Sequence, residues 1–567
     1  LTLWRIKMEN KNVLMAVVLS TMVIIFWQFM YGDEYVELEN KQIKTEQTSK
    51  SEKPSAPSIV KKKVEIKVSR SDAITETGRI KIENKNLIGS IALKGGLIDD
   101  ITLKNYNSNQ TADSRKVVLL NPKKIDQSYY LETGWATSGN EIVPDNQTEW
   151  KVVGNEILSP NKPVRLEWNN GAGLTFVKDF SIDNKYLITV NEQIKNQSNQ
   201  TINLFHYAQI TRKQKPKIQD FYILHEGLLG VVDENLTEED YDDVVEKKKS
   251  YKGSKGWVGI TDKYWLTAVI PEKGKNFNAE FSYDKAYKAN YIITDPTTVN
   301  INQSGSNISN IFIGAKEVAI VDGYAENKGF HKFDLAIDWG WFHFFTKPLF
   351  FIIDYLYKIS GNFGIAIVLL TAAVRLLFFP LANYSFASMA KMKALQPEMQ
   401  RLKDLYKDDK QKIQMEMMNL YKREKVNPIS GCLPVLIQIP FFFAIYKMLF
   451  VTIEMRHAPF YGWIKDLSAA DPTTIFNLFG LIPWSPPSFL IIGAWPIIMG
   501  VTMYIQQKLN PAPPDPVQAK IFMFFPFILT ILLASFPSGL VIYWSINNIL
   551  TMAQQYVIIR KTKVKTV

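Results

Sequence analysis

The chain runs for 21, 21, 36 and 39 residues without a charge, at 12–32, 426–446, 472–507 and 521–559. A fifth stretch, between Lys358 and Lys391, holds 31 uncharged residues and one arginine, Arg375. A bilayer core takes about 20 apolar residues of helix. Runs of this length restrict the backbone to helices, because nothing else apart from a closed barrel satisfies its polar groups in lipid. The class they predict is an α-helical polytopic membrane protein. The polar residues between 40 and 335 must then form a separate domain.

Six spans are predicted. The first is 12–32, "NVLMAVVLSTMVIIFWQFMYG", after a short segment 1–11. Its length and the aromatics Trp27, Phe29 and Tyr31 argue for an uncleaved anchor rather than a signal peptide. The others are 362–386, 429–450, 489–508, 521–535 and 538–558. "FPSG" at 536–539 divides the last run into a hairpin, since Pro and Gly end helices. The segment 387–428 holds ten Lys or Arg, the tail 559–567 holds four, and the loop 451–488 holds only Arg456 and Lys465. The positive-inside rule puts 387–428, 509–520 and both termini in the cytoplasm and the loop 451–488 outside.

The polar half begins with 33–74, rich in Lys, Ser, Glu and Pro, read as a tether. From 75 to 335 the hydrophobic period is two. "SIALKGGLIDDITLK" reads as two strands about Gly95-Gly96, and "VRLEWNNGAGLTFVKDFSI" as two strands about Asn170–Gly173. "YLITVNEQI" sets Tyr186, Ile188 and Val190 on one face, and "GWVGITDKYWLTAVIP" is a further strand pair. A large extracytoplasmic all-β sandwich follows. Between it and the second span, 338–360 is dense in aromatics with interspersed charges, which fits an amphipathic helix lying in the outer interface.

Composition excludes several chemistries. The one cysteine, Cys432, forms no intramolecular disulfide and no cysteine metal site. The five histidines are scattered, and no metal site is predicted. No Walker loop occurs, so no nucleotide cofactor is implied. No Asp, Glu or His lies in a predicted span, which removes most intramembrane catalysis. The net charge of +11 sits in Lys-rich segments beside apolar runs, not on a nucleic-acid face.

In 387–428 apolar residues recur at 389, 392, 395, 399, 402 and 405 and resume at Ile413, Met417 and Leu420, a helical stripe on each arm of a hairpin. Its methionines, Met389, Met392, Met399 and Met417 among them, suit a surface for varied apolar partners; they equally suit holding the hairpin together.

Lys447 and Lys508 lie at span ends, and Arg375 is the one charge in the middle of a predicted span. At mid-helix it costs roughly 2.5–3.5 kcal/mol and is tolerated when it faces water, a counter-charge or carbonyls. No acidic residue in another span can pair with it. Polar side chains in the spans, Thr371, Gln438, Tyr504, Gln506, Tyr543, Ser545, Asn547 and Asn548, predict a wet pocket open to the cytoplasm. An arginine satisfied by carbonyls for packing, and a solute transporter with a midplane site, are the competing readings.

The segments "VRLLFFPL", "SMAKMKALQPEMQ", "EMMNLYKREKVNPISGCLPVLIQIPFFFAIYKML", "RHAPFYGWIKDLSAADP" and "FPSGLVIYWSINNILTMAQQ" resemble the YidC/Oxa1/Alb3 family of membrane protein insertases, covering about 340–560. The large β domain and first span resemble its Gram-negative form. The resemblance implies an inner-membrane insertase and chaperone, not an enzyme, with a five-helix bundle and a periplasmic β-supersandwich. It implies a hydrophilic groove in which Arg375, Thr371, Gln438, Tyr543 and Trp544 meet the client, and the hairpin 387–428 as client receiver. The implied partners are nascent membrane proteins, the Sec translocon, the ribosome, the signal recognition particle receptor and the lipid bilayer.

Overall fold

Alternating burial along the strands builds the N-terminal half of the described chain. The computed structural model describes residues 68–110, 114–216, 224–340, 343–406, 409–424, 426–427, 433–484, 486–487, 491–510 and 516–563. The predicted N-terminal segment, first span and most of the tether lie outside the described residues. The end of the predicted tether is ordered: Arg70–Thr75 is a short helix, α1, capped by the Ser69 hydroxyl, and Ala73 on it is buried.

An 11-stranded and a 9-stranded sheet pack into a sandwich. The pairings read from turns are present and antiparallel: Leu87–Ala92 with Leu97–Asn107, Val164–Asn169 with Leu174–Ile182, and Gly256–Thr261 with Trp265–Ile270. Gly173 takes φ +88, and a Cβ there would meet the Ser198 backbone at 2.8 Å, so the second hairpin turn needs glycine. Inward rows of Ile, Leu, Val and Phe from both sheets fill the core. Two helices, α2 (Tyr241–Glu246) and α3 (Val318–Asn327), pack onto it.

The helical half begins with α4 (His343–Ser360). It buries Thr346, Leu349, Phe350 and Ile353 and exposes Phe344, Phe351, Ile352, Tyr355 and Ile359, so its outward face is largely apolar. Next come α5 (Phe363–Leu377), α6 (Phe379–Ala394), α7 (Gln396–Leu405) and α8 (Lys410–Arg423). The remainder is α9 (Leu433–Val451), α10 (Ala494–Leu509), α11 (Pro516–Leu532) and α12 (Ser538–Lys563). α11 exposes Phe522, Phe524, Phe527, Ile528 and Ile531, a surface suited to lipid rather than water.

The expected straight helix over 362–386 is bent. α5 and α6 meet at 68° across Phe378. The cause is Pro380: it lacks an N–H, and its ring crowds the preceding turn. Among the described residues no single helix is long and apolar enough to cross a membrane, and only this bent pair passes together; shorter apolar stretches occupy Gln438–Val451 and Ala519–Ser535. α12 runs past the expected boundary at 558 into the basic tail, over 26 residues, or about 39 Å.

Sandwich and helices share a polar junction. Lys447 of α9 donates to Asp338 at 2.6 Å, Arg456 donates to the Asn107 carbonyl at 2.6 Å, and Glu454 accepts from the Val318 N–H at 2.9 Å. That N–H belongs to the first residue of α3, an amide with no partner inside the helix. Burial, with Glu317 and Asp354 nearby, pushes the Glu454 carboxyl up to about 7. Its raised value means the folded state holds the proton longer than the unfolded chain. The junction is therefore most stable below about pH 4.5 and loses stability as pH rises towards 7. Glu454→Gln is expected to stabilise it by about 1–3 kcal/mol at pH 8 and to flatten that pH dependence. Hydrogen exchange over Val318–Asn327 in the full-length protein, at pH 5 and 8, measures both effects.

Candidate functional site

Arg375 lies in the last turn of α5, immediately before the bend. Carbonyls at a helix C-terminus lack intrahelical donors and carry partial negative charge, so a cation is favoured there. The N-terminus of the same helix is closed by Asn362, whose side chain accepts from the Ile365 N–H at 3.1 Å. The arginine is thus held at a defined helix end and is half-buried.

Its Nε donates to Asn547 Oδ1 on α12 at 2.8 Å. Among the described residues no carboxylate pairs with it. One turn earlier on α12, the buried Tyr543 hydroxyl accepts a hydrogen bond from Gln438 Nε2 on α9. Val374, Arg375, Phe378, Leu381, Ala382, Gln438 and Phe441 line a narrow recess of about 30 Å³. Three helices therefore bring one unneutralised guanidinium and a polar chain, Gln438–Tyr543, to a pocket otherwise walled by apolar side chains.

Of the residues expected to share a groove, the structure brings Arg375 and Gln438 to the recess and sets Tyr543 directly behind Gln438. Thr371 is buried, and its hydroxyl donates to the Ile367 carbonyl at 2.6 Å, the usual self-satisfaction of a helical threonine in apolar surroundings. Trp544 packs edge-on to Phe442 at 4.7 Å, away from the recess. Asn547, the direct partner of the arginine, is one of several polar residues in the predicted spans. Nothing in the sequence singles it out among them beyond its spacing of four from Tyr543, which puts both on one helical face.

The hairpin is α7 against α8. Met399 and Met417 are buried with Leu420 and Tyr421, and Met392 packs against them; Met389 is buried instead with Ala382, Phe386 and Ile558. Of the two readings of the methionine stripe, these contacts correspond to the one in which it holds the hairpin together, as an internal seam. Helices of 10 and 14 residues are marginal alone, so they bury their apolar stripe on each other. The large apolar side chains of the two helices that face outward are Leu405, Met415 and Met418.

A charged cluster that the sequence reading passed over lies between the two sheets. Glu192 contacts Lys178 at 2.8 Å, His206 at 2.8 Å and the Thr133 hydroxyl at 2.7 Å. Glu192 and His206 are 0% exposed, so substrate cannot reach them and the cluster is structural. Burial pushes the Glu192 carboxyl up, but Lys178 and His206 outweigh it and hold it at about 2. Among the described residues no His, Cys, Asp and Glu side chains converge as a metal site.

Comparison with known proteins bears on both halves. Residues 79–352 match the YidC periplasmic domain, and 355–565 match the 60Kd inner membrane protein family. Membrane protein insertase YidC of Pelagibacter ubique is 54% identical over 99% of this chain and 100% of its own length. The chain belongs to the YidC family of membrane protein insertases. The Bradyrhizobium diazoefficiens relative is 45% identical over 98% of this chain and 97% of its own. A crystal structure of active YidC insertase with the first transmembrane domain resolved is 20% identical, covering 84% of this chain and 92% of that one, with a TM-score of 0.36. Family membership makes the β sandwich periplasmic and the helical half an inner-membrane protein.

Proposed function

We propose that the chain inserts newly made proteins into the inner membrane through a groove built around Arg375, and assists their folding there. The single observation that carries this reading is a guanidinium at the recess whose described side-chain partner is a neutral amide, Asn547. A charge left without a counter-charge can attract the acidic, translocated end of a client. The client's own apolar helix supplies the driving force as it leaves water. Gln438, with Tyr543 bonded behind it, keeps the recess polar.

In this reading the chain crosses the membrane six times, with 12–32 as the first span, and both termini and the hairpin are cytoplasmic. α5 and α6 form one bent span, and the bend opens the recess toward the hairpin. Nascent chains reach it from the ribosome, alone or with the Sec translocon and the signal recognition particle receptor.

The direct test is insertion of a single-span client into vesicles holding the full-length chain, with solute uptake as the contrasting readout. Uptake without insertion would overturn the proposal. Within the same assay, Met415→Asp with Met418→Asp is expected to reduce client crosslinking to the hairpin several-fold while leaving it folded. Met399→Asp is expected to unfold the hairpin instead, since a charge in that seam has no partner. Protease sensitivity at 396–423 distinguishes the two outcomes.

A further inference from the structure

The segment between α9 and α10, predicted as a periplasmic loop over 451–488, ends in a stretch poorly suited to water. From 472 to 507 there is no charged residue and no histidine. Within 475–484 seven large apolar side chains are exposed, among them Leu478 at 53%, Phe479 at 54% and Leu481 at 83%. Leu478 and Phe479 take φ of 49° and 57°, a region that large side chains rarely adopt. In water this combines backbone strain with exposed apolar surface, and both are unfavourable.

The backbone of the stretch is closed on itself. The amides of Phe479, Leu481, Ile482 and Trp484 donate to the carbonyls of Thr474, Leu478, Asn477 and Ile482 at 2.8–3.3 Å. Phe476 N–H donates to the Thr474 hydroxyl at 3.3 Å. Water would satisfy such amides from outside, whereas lipid supplies no partner.

The neck of the loop is fixed to the first turn of α10. Trp495 N–H donates to Asp471 at 2.9 Å, Ala494 N–H to the Thr473 hydroxyl at 3.0 Å, and Ile475 N–H to the Ile492 carbonyl at 3.4 Å. Asp471, the nearest charge, is 2% exposed and also accepts from Trp463 Nε1 at 3.1 Å. The level of this neck follows from the length of α10. Its 16 residues span about 24 Å, against about 30 Å of hydrocarbon. With Lys508 at the cytoplasmic boundary, the first turn of α10 ends about 6 Å inside the outer one.

We propose that 475–484 is seated in the outer leaflet beside α10, as a lipid anchor rather than a loop in the periplasm. The proposal rests on α10 being a span, as in the reading above. A protein partner is the weaker occupant, because stable protein interfaces carry a polar rim. This stretch offers no charge, and the amides named above are already bonded. Trp484 and the phenylalanines suit the membrane interface. The anchor fixes the depth of α10, whose Thr502 hydroxyl accepts from Asn548 of α12 at 3.2 Å, one residue from the partner of Arg375.

The test uses the full-length chain with Cys432→Ser, reconstituted in phosphatidylethanolamine–phosphatidylglycerol vesicles, with one nitroxide-labelled cysteine at a time. Phe476→Cys, Leu481→Cys and Trp484→Cys probe the loop. Ile142→Cys on the sandwich surface reports water, and Val501→Cys on the exposed face of α10 reports lipid. The readout is the collision rate with oxygen divided by that with a water-soluble nickel chelate. All three loop positions are expected to give a ratio at least three-fold above that of Ile142→Cys. A smaller ratio, with Val501→Cys in lipid, overturns the proposal and leaves the six-span reading standing. Water exposure at Val501→Cys overturns the reading of α10 as a span, and the proposal with it. Loop labels shielded from both reagents mean that protein covers the loop, which also overturns the proposal.

Discussion

Arg375→Ala is expected to slow insertion of a client with two Asp in its translocated tail about five- to a thousand-fold, and to spare a client with none. The range follows from an interaction of roughly 1–4 kcal/mol between a guanidinium and one carboxylate in a partly wet site, at about 1.4 kcal/mol per decade. Arg375→Lys should keep much of the activity, although it loses the planar fork. Arg375→Glu should invert the preference by repelling acidic tails. The contact with Asn547 adds a test that leaves the arginine in place: Asn547→Asp puts a carboxylate where the amide now accepts at 2.8 Å. That variant should neutralise Arg375 internally and resemble Arg375→Ala with acidic clients, whereas Asn547→Leu should not. The measurement is the insertion rate of one single-span client carrying zero, one or two Asp, in each background. If Arg375→Ala slows the zero-Asp and two-Asp clients equally, the electrostatic role is wrong and the arginine serves only to hydrate or brace the recess.

What could be read in advance divides along the range of the interactions. Strand pairs are local, and their turns announce them: Gly95-Gly96 and the Asn170–Gly173 segment sit where the chain reverses. The isolation of Arg375 is likewise a property of the chain alone. The bend at Phe378 was also written locally, in Pro380, but the uncharged run suggested one continuous helix and obscured it. The methionine stripe was visible, yet its direction was not, because which face an amphipathic helix hides depends on its neighbour. Asn547 meets Arg375 across 172 positions, and no single sequence shows such a contact.

The buried cluster lies between those extremes. Tyr186, Ile188 and Val190 were placed on one face, and the same period of two carries Glu192 to that face. The hairpin register pairs Glu192 with Lys178. Parity and the intervening turn therefore make an inward, opposite-charge pair legible. The approach of His206 from the other sheet is not, because sheet-on-sheet packing joins residues distant in the chain.

Removing Glu192 should produce the largest loss of stability among substitutions in the sandwich. Lys178 is 3% exposed and contacts the Glu192 carboxylate, the Thr133 carbonyl at 2.5 Å and the Trp150 ring at 5.2 Å. With Glu192→Ala the ammonium stays buried without its counter-ion, a change that costs about 3–5 kcal/mol in comparable sites. Replacing the pair together, Lys178→Met with Glu192→Leu, should recover part of that loss, because the buried ammonium goes while His206 still loses its Glu192 partner. The pH dependence has a definite sign. Glu192 is held at about 2 against an ordinary 4.5, so its contribution is complete above 4.5 and is lost as pH falls from 4.5 towards 2. The wild type should lose stability through that window, and the double variant should lose less. Hydrogen exchange over Leu174–Ile182 and Leu187–Asn196 in the full-length protein reads both effects at residue level. The Arg375 recess lies in the other half of the chain, so insertion at a temperature where Glu192→Ala stays folded should be close to that of the wild type. A loss below about 1 kcal/mol in Glu192→Ala would mean that water reaches Lys178, and that the cluster fixes sheet register without contributing much stability.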